Sequence, residues 1–153
     1  MTVDLDEIRR AREEADCLCS AEDVDQALGR LASDITARLH DKNPLIYAVM
    51  NGGLVLAGRL LPRLPFPLEL AYLHATRYGH ALEGTLLDWR VRPTQDLRGR
   101  TVLVLDDILD EGHTLAAIID YLKGEGAREV VSAVLVHKVH ERKAYPGMRA
   151  DFT

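Results

Sequence analysis

Apolar residues recur along the chain with two different periods, and the alternation between them predicts an α/β domain. Val24, Leu28, Leu31, Ile35 and Leu39 step by three or four residues, the spacing that lines one face of an α-helix. Ser20 followed by Asp23 has the form of a capping box, so the helix is expected to start there and to end near His40. Residues 4–16 carry scattered apolar positions among charges and predict a helix near the surface. After Pro44, Leu45 to Met50 is an apolar run of strand length. Asn51-Gly52-Gly53 breaks it, and Leu54 to Leu61 resumes a helical pattern that Pro62, Pro65 and Pro67 stop. Residues 68–76 and 85–91 read as strands around the polar stretch RYGHALEG. A strand over 101–105, a helix over 114–123 and a β-branched strand over 129–136 follow. Buried strands alternating with helices imply a largely parallel sheet covered on both faces, with any ligand beyond the carboxyl ends of the strands.

Composition narrows this picture more than it enlarges it. A chain of 153 residues, 47% of them hydrophobic, suffices for one domain with a sizeable core. The formal net charge of −5 argues against non-specific nucleic-acid binding, which needs a basic surface. No apolar run approaches the roughly 20 residues that span a bilayer, and the charged first residues lack the apolar stretch of a secretory signal. Cys17 and Cys19, one residue apart, suit neither a structural disulfide nor a four-ligand zinc site. A single-domain cytoplasmic protein is expected, without nucleic-acid or membrane partners.

The stretch VLVLDDILDEGHTL, residues 102–115, carries the chemistry. An apolar strand runs into Asp106 and Asp107, and a helix begins after Gly112. Unpaired N–H groups and the positive dipole end at that helix start favour an anion. Gly112 allows close approach of the backbone, and the Thr114 hydroxyl offers a further hydrogen bond. The two carboxylates at the strand end can accept from sugar hydroxyls or hold a divalent metal through water. Together they describe a site for a phosphorylated sugar. An Asp-rich capped turn explains any one of these acids, but poorly explains four acids in six residues. A receiver domain also pairs acids after an apolar strand, but there the pair ends the first strand, whereas most of this chain precedes Asp107.

The same stretch closely resembles the signature of type I phosphoribosyltransferases: apolar strand, two acids, two apolar residues, then Asp-x-Gly-x-Thr. The resemblance extends over nearly the whole chain and is greatest for the hypoxanthine-guanine branch. It implies a mostly parallel sheet flanked by helices, with a flexible hairpin loop, in one domain over 1–153. KNPLIYAVMNGG resembles the loop that receives pyrophosphate, here Met50, Asn51, Gly52 and Gly53, where a cis peptide is expected at Met50–Asn51. ATRYGHALEG resembles the loop that closes over the reactants, with Arg77 and Tyr78 at the matching place. LVHKVHER resembles the purine-reading strand end, placing Lys138 against the exocyclic oxygen of the base and Arg142 near pyrophosphate. A lysine has donors and no acceptor, so it suits the 6-oxo group of hypoxanthine or guanine and opposes the 6-amino group of adenine.

By the same resemblance Asp106 and Asp107 would hold the ribose hydroxyls, with Mg2+ between the sugar and pyrophosphate. Asp110 would be the general base or electrostatic partner at N7, and Asp110, Glu111, Gly112, His113 and Thr114 would bind the 5′-phosphate. The implied reaction moves the phosphoribosyl group of phosphoribosyl pyrophosphate to a 6-oxopurine in purine salvage, and relatives are usually dimers or tetramers. Three positions depart from the commoner pattern: Asn51 replaces a basic residue, Glu111 a threonine or serine, and His113 a longer basic residue. The segment that in the family follows Ala-Asp-Phe, bearing the purine-stacking aromatic residue, is not found after Asp151-Phe152-Thr153. A second expectation therefore stands beside the enzyme, a non-catalytic sensor of a nucleotide or phosphoribosyl pyrophosphate with the same fold. The histidines, His140 among them, read as surface or core residues, and Trp89 and Tyr121 as packing.

Overall fold

The computed structural model of the chain describes residues 4–77 and 87–153. Among these residues lie helices α1 (Leu5–Glu14), α2 (Ala21–Leu39), α3 (Gly53–Leu60) and α4 (His113–Gly124). The strands are β1 (Leu45–Val49), β2 (Glu69–Arg77), β3 (Leu87–Val91), β4 (Thr101–Leu109) and β5 (Glu129–His137). The capping box forms as expected: the Asp23 N–H donates to the Ser20 hydroxyl at 3.1 Å, and the Ser20 N–H donates to the Asp23 carboxylate at 2.8 Å. α1 buries none of its residues, in keeping with its charged pattern.

The sheet order is β3-β2-β1-β4-β5, parallel except for β3, which runs antiparallel to β2. β1 is buried at every position, and β4 from Thr101 to Leu105, as central strands of a sheet covered on both faces must be. On one face Leu28, Leu31 and Ile35 of α2 and Leu56 and Leu60 of α3 pack with Ile46, Leu103 and Leu105. On the other, Leu115, Ile118 and Leu122 of α4 meet Tyr47, Val102 and Val104. Trp89 rests on Tyr121 with ring centroids 4.7 Å apart, the packing role expected of both. The chain then returns to the outer edge of β5. There the Phe152 N–H donates to the Ser132 carbonyl at 3.0 Å, and the Val134 N–H to the Phe152 carbonyl at 3.1 Å. No helix among the described residues is long and apolar enough to cross a membrane.

One element differs from expectation in a way that matters for the site. β4 does not stop at the acids but runs through them to Leu109. Its pairing with β1 ends at Ala48–Leu105, while its pairing with β5 continues through Asp106–Val134 and Ile108–Val136 to Leu109–His137. Backbone hydrogen bonds are indifferent to side-chain polarity, so a long apolar partner extends a strand past the point where its own apolar run ends. Asp106 and Asp107 thus lie where β4 no longer pairs with β1.

Candidate active site

Three connections meet at the carboxyl ends of the parallel strands: 50–53 after β1, 110–112 after β4, and 138–144 after β5. A cleft of about 400 Å³ opens there, lined by residues 106–115. Gly112 occupies the left-handed region, φ 85°, and is the N-cap of α4. A Cβ at this position would be strained by the positive φ, and would lie 2.5 Å from Met148 Sδ and 2.7 Å from Leu109 Cδ1, so the ends of these two buried side chains would have to shift. Because glycine supplies no capping side chain, the N–H groups of His113, Thr114 and Leu115 have no protein acceptor among the described residues. The Ala116 N–H is the first to return into the chain, to the Gly112 carbonyl at 2.9 Å. Three free amides and a dipole end therefore face the cleft. Gly112→Ala is expected to destabilise the fold by about 1–3 kcal/mol, the usual cost of overpacking, seen as a lower urea midpoint with an unchanged slope.

The β1–α3 connection packs tightly against the acids. The Met50–Asn51 peptide is cis, as expected. A Cβ on Gly52 would fall 2.6–2.8 Å from the Asp107 carboxylate, and one on Gly53 would fall 2.6 Å from the Leu105 carbonyl oxygen. These glycines let the loop lie directly on the end of β4. Asp107 donates its N–H to Asp106 Oδ1 at 3.0 Å. Burial, opposed by that hydrogen bond and reinforced by the neighbouring Asp107 charge, pushes the Asp106 carboxyl up to about 7. A carboxyl that gives up its proton this reluctantly is one that a nearby cation would ionise. Among the described residues no cluster of three or more His, Cys, Asp or Glu side chains surrounds the pair. Two carboxylates fit a hard cation that keeps most of its shell as water and ligand oxygens, which is how magnesium is commonly held.

Asp110 is engaged on both oxygens. Lys138 Nζ donates to Oδ2 at 2.8 Å, and His140 Nε2 lies 2.7 Å from Oδ1. Lys138 first, then His140, hold the Asp110 carboxyl down at about 2. The Lys143 ammonium bonds the carbonyl oxygens of Leu109, Asp110 and Lys138, while the Ala144 N–H donates to the Glu111 carbonyl at 2.8 Å. Segment 138–144 thereby straps the 110–112 connection in place. His140, expected to be a bystander, is a direct partner of Asp110, and Lys143 is a second residue that sequence reasoning passed over. Both sit in an irregular connector without periodicity, so only a folded chain brings them to Asp110.

The remaining expected residues are distributed as follows. His113 Nε2 lies 3.8 Å from the Glu111 carboxylate, so the acid introduced into this loop has a partial counter-charge when the ring is protonated. Thr114 is half-buried in the cleft wall, and Asn51 is exposed on the facing loop. Arg142 is exposed and reaches the site only through its N–H, which donates to His140 Nδ1 at 3.1 Å. Arg77 is the last residue of β2, and Tyr78 lies outside the described residues.

Residues 20–146 match the model of the phosphoribosyl transferase domain family. The chain belongs to that family. Its phosphoribosyl transferase relatives include the bifunctional protein TilS/HprT of Listeria innocua, 30% identical over 88% of this chain and 21% of that protein. They also include the hypoxanthine-guanine phosphoribosyltransferase of Bacillus subtilis, 27% identical over 88% of this chain and 74% of the relative. The chain thus spans about a fifth of the bifunctional relative and about three quarters of the Bacillus subtilis protein. In three dimensions it is similar to a hypoxanthine phosphoribosyltransferase from Staphylococcus aureus. The TM-score is 0.84 at 19% identity, over 97% of this chain and 80% of that one, a likeness of fold. α1 precedes the segment matched to the phosphoribosyl transferase family, as Phe152 follows it.

Proposed function

We propose that this chain transfers the 5-phosphoribosyl group from phosphoribosyl pyrophosphate to a 6-oxopurine, hypoxanthine or guanine, forming a nucleoside monophosphate and pyrophosphate in purine salvage. One observation carries the reading: the free first-turn amides of α4 and the Asp106–Asp107 pair share one cleft. Amides suit the 5′-phosphate, and carboxylates suit the ribose hydroxyls. In the reaction the anomeric carbon loses a pyrophosphate oxygen and gains a purine nitrogen, and the base gives up a proton. An oxocarbenium-like transition state carries positive charge on the sugar, which the acids of this loop stabilise more than they stabilise the ground state.

Asp110 and Lys138 act on the base together. While paired, each suppresses the other's reactivity: the ammonium keeps Asp110 a weak base, and the carboxylate occupies the donor. A 6-oxopurine whose exocyclic oxygen takes over the Lys138 ammonium frees Asp110 Oδ2 for the N–H of the imidazole ring. Recognition and increased basicity are then a single event. Asp106 and Asp107 would hold Mg2+ through water, and such a cation supplies charge neutralisation to the leaving pyrophosphate. Lys138→Met is expected to raise the KM for hypoxanthine and guanine by about tenfold to a hundredfold, the scale of one lost hydrogen bond to a charged group, without changing the KM for phosphoribosyl pyrophosphate. Steady-state kinetics with each substrate varied in turn checks it.

A second reading, a non-catalytic sensor of a nucleotide or phosphoribosyl pyrophosphate, is favoured by Glu111, which adds negative charge beside the phosphate amides. Incubation with phosphoribosyl pyrophosphate, Mg2+ and each of hypoxanthine, guanine, xanthine and adenine separates the two. Nucleotide formation from the first two bases is the expected result. Saturable binding of phosphoribosyl pyrophosphate with no nucleotide from any base would replace the enzyme by the sensor.

A further inference from the structure

We infer that His140 is a positioning residue, fixing Asp110 by its Oδ1 so that Oδ2 is the oxygen offered to the purine when Lys138 leaves it. The inference rests on the proposed phosphoribosyl transfer and adds to it a role for a side chain outside the signature stretch.

The tautomer follows from the neighbours of the ring. The Arg142 backbone N–H lies 3.1 Å from His140 Nδ1 and can only donate, so Nδ1 is the acceptor nitrogen. A neutral ring then carries its proton on Nε2, which faces Asp110 Oδ1 at 2.7 Å. The ring is oriented from one side by the backbone and donates from the other.

The two donors on Asp110 differ in freedom. Lys138 is 50% exposed and ends a long unbranched stem, so its ammonium can change partners at little cost. His140 is 21% exposed, has only two side-chain torsions, and is pinned at Nδ1. The backbone beneath them does not follow Lys138 either. Lys143 bonds the carbonyl oxygens of Leu109, Asp110 and Lys138, and the Lys138 N–H donates to the Leu109 carbonyl at 3.0 Å. Without His140, a carboxylate deserted by Lys138 would be free to rotate about its terminal torsion, whose profile is broad and roughly two-fold rather than staggered. With it, one oxygen stays bonded and the other keeps its direction. That is preorganisation of the group that receives the proton.

The test is a kinetic comparison of the whole chain with its His140→Ala and His140→Gln variants, alongside 15N spectra of the histidine ring in the unliganded protein. A ring with acceptor character at Nδ1 and a proton on Nε2 is expected. His140→Ala is expected to lower kcat with hypoxanthine about tenfold, the scale of one hydrogen bond to a charged group, with the KM for phosphoribosyl pyrophosphate unchanged. His140→Gln, whose amide can still donate to Oδ1, should recover most of that loss. A purely structural role would instead lower the melting temperature of both variants and leave kcat per folded molecule intact. Equal kcat in wild type and His140→Ala, or a proton found on Nδ1, would overturn the positioning role alone. No nucleotide from wild-type protein with any base would overturn the transfer reaction itself.

Discussion

Asp110→Asn is expected to reduce kcat for nucleotide formation by about 10²–10⁴-fold, the usual worth of a positioned general base. The substitution preserves shape, and its amide oxygen can still accept from His140. It removes the capacity to take a proton, and its NH2 group cannot accept from the Lys138 ammonium. The fold should barely register the change. Lys138 and Asp110 are each about half exposed, 50% and 48%, and pairs in such positions contribute little to stability once solvent screening is counted. The pH dependence of this small contribution has a definite sign. Asp110 has its carboxyl lowered to about 2 in the folded chain, so its stabilising effect is complete above the ordinary carboxylate range and is lost only as pH falls toward 2. Because that screened contribution is small and does not change across pH 6–8, wild type and Asp110→Asn should melt within a degree or two of each other there, while their turnover differs by orders of magnitude. Parallel loss of melting temperature and activity would assign Asp110 to the scaffold instead.

The second large effect concerns Asp106, where stability and activity are expected to move in opposite directions. Burial raises this carboxyl from 3.8 to about 7 in the folded chain. Between those values the native state holds a proton that the unfolded chain has released, so stability falls as pH rises through the window and levels off above about 7. Asp106→Asn cannot titrate. In chelator at pH 8 it should be more stable than wild type by about 1–3 kcal/mol, the cost of burying a polar group with its hydrogen-bonding incomplete. That corresponds to roughly 2–4 °C per kcal/mol for a chain of this size, and the advantage should vanish near pH 4. The same variant should lose about 10²–10³-fold in kcat, as sites do when a group aimed at developing charge is removed. Adding Mg2+ should raise the melting temperature of wild type at pH 8 and leave Asp106→Asn nearly unmoved. Thermal melts at several pH values, with and without the cation, decide it. Identical pH profiles for the two proteins would show that Asp106 carries no buried charge.

Both predictions depend on residues legible without a structure, and the reason is that their signals are local. The period of Val24 to Leu39, the capping box at Ser20 and the prolines after Leu61 each act within a few residues, so α2 and α3 appear within a residue or two of their expected limits. The acids, Gly112 and Thr114 lie in one continuous stretch at a strand–helix junction, and that junction alone brings them to a single cleft. The end of β4 was less legible because its last four residues are held by β5 rather than by their own apolar character. His140 and Lys143 were not legible at all. Nothing in their spacing sets them apart from the exposed charges around them.

By itself, then, the amino-acid order determined the succession of helices and strands that predicts an α/β class, and the run of acids, glycine and threonine at 106–114 on a strand–helix junction, since each is set by near neighbours in the chain. Only the tertiary structure decided that Asp110 shares its two oxygens between Lys138 and His140, that Lys143 straps the loop, and that Gly52 makes room for Asp107. Those contacts join residues about 30 to 55 positions apart. They exist because parallel strands from distant parts of the chain end at the same edge of one sheet, and no local period encodes that meeting.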